Sequence, residues 1–196
     1  MVRRVFISYA QEDGHNEVVR DLWAFLRSNG IDARYDAVAA GQRQDWALWM
    51  DDQIRNADVV LCVASERYRE RAEGRSGRDV GKGVQWEARQ IRDAFYAAQD
   101  NLQKFVPVVL PGQTVKGVPD FLAPSTHTVY FVKELSVDGA ETLLRFLLGQ
   151  PEIVDVPLGV PPTFETWSPG TGFVTHPGSA GSSASTPPGG GSPGPR

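Results

Sequence analysis

Cysteine is almost missing from this chain. Cys62 is the only one in 196 residues, so neither a disulfide framework nor a thiolate metal site is available. It lies in the apolar run Val59-Val60-Leu61-Cys62-Val63-Ala64, where a thiol acts as a small buried hydrophobe. That run is also the longest of its kind, far below the roughly 18 residues a membrane span needs. Histidine is scarce: His15, His127 and His176 are scattered without ligand spacing, which argues against a metal site. Met1-Val2-Arg3-Arg4 runs straight into a strand-like segment, leaving no apolar core for a signal peptide. At a net charge of −4, the chain lacks the basic surface that sequence-independent nucleic-acid binding needs. These absences set the expectation of a cytoplasmic protein with no metal, no membrane partner and no nucleic acid.

Proline and glycine are sparse only at first. Residues 151–196 hold 10 of the 14 prolines and 9 of the 20 glycines, whereas 40 of the 44 charged side chains precede position 151. The chain therefore divides into 1–150, long enough to bury a core, and 151–196, a Pro/Gly/Ser-rich tail or linker. Few charges and few apolar residues leave that tail unable to offset the entropy of ordering, so it is expected to be disordered. Phe164, Trp167 and Phe173 are its exceptions, either a short docking segment or side chains that lie against the domain.

Apolar periodicity alternates regularly within 1–150. It predicts strands at Val2–Ser8, Ile31–Tyr35, Ala57–Ala64, Phe105–Leu110 and Thr128–Val132. Between them it predicts helices carrying Val18, Leu22, Phe25 and Leu26; Trp46, Trp49, Met50 and Ile54; a third over 84–98; and a last with Ala140, Leu143, Leu144 and Leu147. Strand–helix alternation implies an α/β fold, a five-stranded parallel sheet with helices on both faces. Right-handed crossovers favour the flavodoxin-like order 2-1-3-4-5. In that order a crevice opens at the ends of strands one and three, here Ser8-Tyr9 and Ser65.

Familiar catalytic patterns are absent. Gly81-Lys82-Gly83 has neither Walker spacing nor G-x-G-x-x-G, and no G-x-S-x-G occurs. A phosphorelay receiver on this fold needs an aspartate ending strand three and a lysine after strand four; Ala64-Ser65 and Pro111-Gly112 stand there instead.

What remains is an ordered set of boxes: Phe6-Ile7-Ser8-Tyr9, then Ser65-x-x-Tyr68, then Gly81-Lys82-Gly83-Val84-Gln85-Trp86-Glu87, then Phe105-Val106-Pro107-Val108. Together they resemble the Toll/interleukin-receptor (TIR) superfamily, in its SEFIR branch and bacterial type, over about residues 3–148. The resemblance implies an intracellular signalling module that assembles with SEFIR or TIR domains of its own kind, a homo-oligomer on activation, in bacterial defence or regulation. It also implies a second activity, because many relatives cleave the nicotinamide–ribose bond of NAD+ once assembled. NAD+ would then be a substrate; no cofactor is implied. The catalytic glutamate of those relatives corresponds here to Glu87.

The chemistry agrees with that assignment. Cleaving an N-glycosidic bond builds positive charge on the ribose, which a nearby carboxylate stabilises. Glu87 would sit beside the apolar face of Val84, Ala88, Ile91 and Phe95, at the N-terminal end of its helix. The other reading of Glu87 is an acidic residue favoured in a first turn by the helix dipole. Tyr9 and Tyr68 would flank a ring, and Ser8 and Ser65 would bond ribose or phosphate. Alternatively, both serines end strands and bond local backbone. Trp86 is a pocket wall or an assembly contact. Asp36 opens the loop to Arg43 that covers the site or bridges subunits in relatives, or else it only bonds its own backbone. Residues 66–83, rich in arginine, read as a long connection that is either solvated or attractive to a pyrophosphate or an acidic patch.

Overall fold

Strand placement follows directly from which residues can be buried on two sides. In the computed structural model, β1 (Arg4–Ser8), β2 (Asp32–Arg34), β3 (Val59–Val63), β4 (Phe105–Val109) and β5 (Tyr130–Phe131) form one sheet in the order β2-β1-β3-β4-β5. Every neighbouring pair in it is parallel. The structure describes residues 3–12, 14–43, 45–75, 93 and 102–175. Two compact units divide the chain, Met1–Ile153 and Val154–Arg196. The helix expected over 84–98, with Trp86 and Glu87, lies outside the described residues apart from Asp93, which is helical.

All five residues of β3 are buried, as a central strand covered on both faces requires. Its register sets Val60 beside Phe6 and Phe105, and Leu61 beside Ile7 and Val106. Alternation then sorts the core into two layers. Val5, Ile7, Leu61, Val63, Val106 and Val108 pack under α1 (His15–Ser28) and α5 (Glu141–Leu148). Phe6, Val60, Cys62, Phe105 and Val109 pack under α3 (Trp46–Asn56) and α4 (Glu66–Ala72).

Local signals set the helix ends. In α1, His15, Val19, Leu22 and Leu26 face inward, and Gly30 follows at φ +79°, a conformation that glycine adopts without cost. Asp45 caps α3 by accepting from the amides of Ala47 and Leu48 at 3.2 Å each. Trp49 packs against the core layer beneath it, edge-on to Phe6. Trp46, which helical spacing groups with Trp49 and leaves open to either the core side or the surface, is exposed.

Two connections differ from expectation. Asp36–Ala39 is a short helix, α2, rather than loop. Glu66–Ala72 is likewise helical, with Tyr68, Arg71 and Ala72 buried. Arg69, part-exposed, is held by ion pairs: it bonds Glu73 at 3.0 Å and Asp120 at 2.6 Å. Arg71 is buried and reaches the Gln11 carbonyl at 3.4 Å.

The second unit contains a hairpin of β6 (Glu165–Ser168) and β7 (Gly172–Thr175), antiparallel, with Trp167 opposite Phe173. This is regular structure within a stretch whose composition suggested none. Residues 154–164 carry no helix or strand.

Candidate functional site

Parallel strands deliver their C-terminal ends to one rim of the sheet, and the chain leaves β1, β2 and β3 there by three short turns. Ser8 ends β1 on the side of the α3/α4 layer. Its hydroxyl meets the Tyr68 hydroxyl at 3.1 Å, with Ser8 only 7% and Tyr68 only 3% exposed. Ser65 follows β3 and accepts the Tyr68 amide at 3.1 Å, capping α4. Ser8, Ser65 and Tyr68 are thus brought together, and they bond one another. Burial pushes the Tyr68 phenol well above its usual range, assisted by the neighbouring Cys62. The same burial drives the Cys62 thiol up to about 12. These groups form a neutral floor beneath the rim.

Tyr9 and Asp36 form a second pair, on the other side of β1. The Tyr9 hydroxyl donates to Asp36 Oδ1 at 2.9 Å, and Gln11 Nε2 donates to Oδ2 at 2.6 Å. Asp36 also takes the Ala37 amide at 2.7 Å. One carboxylate therefore ties the turn after β1 to the start of α2, a role beyond bonding its own backbone.

Two cavities open along the rim. The first, about 390 Å³, lies at the ends of β1, β3 and β4; Glu12, His15, Ser65, Glu66, Gln113 and Thr114 contribute to its walls. This is the switch point expected from the strand order. His15 is 4% exposed, and its Nε2 has no hydrogen-bond partner. Burial lowers its pKa, with Glu12 opposing the shift, so the imidazole is neutral at pH 7. The second, about 380 Å³, lies between α1 and α2, lined by Tyr9, Arg20, Tyr35, Asp36 and Trp46 among others. Of the residues expected at a site, Tyr9 and Asp36 line this second cavity and Ser65 the first. Sequence reasoning missed His15, Arg20 and Tyr35 as cavity walls. Only Tyr35, at the end of a strand, carried a positional signal.

Glycine fixes one wall. A Cβ at Gly117 would stand 2.7 Å from the Ser65 backbone, so the turn after β4 lies directly on the β3–α4 corner. No group of three or more metal-ligating side chains occurs among the described residues.

Comparison with known proteins draws this geometry together. A family model for the TIR domain matches residues 5–144. The chain belongs to the TIR family. TIR domains are signalling and interaction modules that typically engage in homotypic contacts. A search of curated proteins finds no match. Among solved structures, the chain is similar to a prokaryotic SEFIR domain at 25% identity, with a TM-score of 0.58, over 81% of this chain and 99% of that one. The five parallel strands and the 2-1-3-4-5 order of this TIR domain agree with the architecture its sequence implied. No helix among the described residues is long and apolar enough to cross a membrane.

Proposed function

We propose that this TIR domain is a signalling module that self-associates head to tail, as part of a bacterial defence or regulatory response. One observation carries the reading. At the β2 edge, the short stretch around α2 and the start of α3 exposes Val38, Trp46 and Leu48, the last at 70%. Large apolar side chains clustered in one exposed stretch mark an interaction surface. At the opposite edge of the sheet, Phe105, Val106, Tyr130 and Phe146 contribute to a mainly apolar cavity of about 490 Å³. Phe131 of the edge strand β5 is exposed. A protruding apolar patch at one edge and a receptive one at the other make a heterologous contact, which propagates from copy to copy.

Sedimentation velocity over a concentration series tests this. The wild-type chain should assemble, and Leu48→Asp and Phe131→Asp should each stop it. Because each variant keeps one intact surface, mixing the two should restore a single interface and yield a heterodimer. A wild-type chain that stays monomeric throughout, or a mixture that does not pair, overturns the reading.

The cavity between Tyr9, Tyr35 and Trp46 supports a second activity, hydrolysis of NAD+. Its volume is in the range of small-ligand sites, and its aromatic walls suit a flat heterocycle. Glu87 is the residue assigned to catalysis and Trp86 to the pocket wall. Assembled protein should release nicotinamide from NAD+, and Glu87→Ala should abolish release while leaving assembly unchanged. No release from assemblies confirmed by sedimentation removes this activity without touching the first reading.

A further inference from the structure

The outer edge of β2 carries a cavity that neither activity proposed above uses. It encloses about 440 Å³, and its walls come from described residues of the first unit. Arg34 and Tyr35 contribute from the end of the strand, Trp23 and Arg27 from α1, and Trp49 and Gln53 from α3. Trp23 packs on the core layer under α1 and Trp49 on the layer under α3, so two indoles reach this edge from opposite faces of the sheet. The volume is in the range of small-ligand sites.

Burial grades the cavity from an enclosed interior to a charged mouth. Tyr35 and Gln53 are only 6% and 7% exposed, whereas the side chains of Arg27 and Arg34 are about half exposed. Arg4 Nη2 donates to Gln53 Oε1 at 3.2 Å. A guanidinium can only donate, so this bond fixes which end of the amide is oxygen. The Gln53 NH2 is left as a buried donor, and such a group needs an acceptor. At the mouth, Arg27 Nη1 and Arg34 Nε share one carboxylate oxygen, Asp32 Oδ1, at 3.2 and 3.6 Å. Two cations against one anion leave an excess of positive charge, and exposed pairs of this kind hold weakly. The Ala33 carbonyl fixes Arg27 and Trp23 by accepting from both, at 3.2 and 3.1 Å. Arg34 has only its 3.6 Å ion pair among the described residues, so its Nη donors remain for a ligand.

We infer that this cavity binds a purine nucleoside 5′-monophosphate, with its base inward and its phosphate at the mouth. A purine presents a flat π-face to the indoles. The inner donor of Gln53 needs an acceptor on the base, and the O6/N7 edge of guanine offers two side by side. Arg34 supplies the planar fork that matches phosphate oxygens bidentately. Inorganic phosphate alone would leave both tryptophans and Gln53 without a partner. The site is distinct from the cavity between Tyr9, Tyr35 and Trp46, although Tyr35 is a wall of each.

Titration calorimetry with GMP tests this on the full chain. Val38 lines the cavity and also belongs to the patch assigned to self-association. Phe131→Asp is therefore titrated beside the wild type: its change lies at the opposite edge of the sheet and keeps the β2 edge free of a docked copy. GMP should bind saturably, and guanosine at least about tenfold more weakly, as the loss of a charge-assisted hydrogen bond implies. Arg34→Gln should reduce the affinity for GMP to that for guanosine and leave guanosine unchanged. Arg20→Gln alters a wall of the neighbouring cavity and not of this one, and should leave GMP binding intact. Circular dichroism melting checks that both variants fold. No GMP binding to either the wild type or Phe131→Asp overturns the inference. So does equal affinity for GMP and guanosine, inorganic phosphate binding as tightly as GMP, or a loss on Arg20→Gln that Arg34→Gln does not cause. GMP binding to a chain that stays monomeric throughout supports it and leaves only the self-association reading to fall.

Discussion

Removing the Tyr68 hydroxyl probes the floor of the site more directly than any change at its rim. Tyr68→Phe leaves the Ser8 hydroxyl, 3.1 Å away in the wild type, buried without that partner, at a cost of about 1–3 kcal/mol. Ser8→Ala leaves the phenol in a site where burial already disfavours any charge, with Cys62 as its remaining neighbour, and should cost a similar amount. The double variant removes both groups, so its penalty should not exceed that of the worse single change. The coupling between the two should then be at least the smaller single penalty, about 1–3 kcal/mol. For a domain of this size, each kcal/mol corresponds to about 2–4 °C in Tm. Urea unfolding followed by tryptophan fluorescence measures all four chains, with an unchanged m-value as the check on two-state behaviour. Strict additivity of the single changes would refute the reasoning, because it would mean that the two hydroxyls do not depend on each other. Loss of activity or assembly without loss of stability would equally refute it, by making them ligand groups rather than scaffold.

Three further outcomes follow from described geometry. Gly117→Ala places a methyl 2.7 Å from the Ser65 backbone and should destabilise the domain by about 1–3 kcal/mol, read from the shift of the urea midpoint. His15 titrates below its ordinary value of 6.5 when folded, so above 6.5 it is neutral in both states and stability is complete. As pH falls below 6.5 the unfolded chain takes up a proton that the folded chain refuses, and stability drops. Stability measured from pH 7.5 to 5 should show a component of this sign that His15→Leu removes. Cys62, with its thiol at about 12, should resist a thiol-reactive chromophore at pH 8 in native protein and react fully in urea; prompt reaction of the native chain would contradict its burial.

Strands were legible where burial is two-sided. Val59–Val63 needs no neighbour to be recognised; alternation and handedness narrowed the parallel sheet to a few orders, of which the common one is observed. Helix α4 was not legible, because Glu66-Arg67-Tyr68-Arg69-Glu70-Arg71-Ala72 hides its inward face behind charge. Tyr68 and Ala72 lie four residues apart on one side, and Arg71, beside them, is buried too. Ser65 supplies the cap three residues before Tyr68, a signal that the charges outweighed. Helix α2 is four residues long, too short for any period to show. At the site, the ends of β1 and β3 were located correctly, since strand order fixes them. Which partner each hydroxyl meets was not, because Tyr9–Asp36 and Ser8–Tyr68 span 27 and 60 residues. Such pairs depend on register, which local pattern does not encode.

The central position of β3 also bears on how this chain is made. Val60 pairs on one side with Phe6 and on the other with Phe105, so during synthesis one flank of the strand waits for 45 further residues. At about 5–20 residues per second, that interval lasts several seconds. Through it, a five-residue segment without charge or proline stands half-paired, the composition that nucleates intermolecular β-structure. Asp58 and Glu66 flank it closely and act as gatekeepers against that outcome. Nascent chains of this protein are therefore most exposed to aggregation between the emergence of Val63 and that of Phe105, and holding β3 in that window is where a chaperone contributes most to soluble yield.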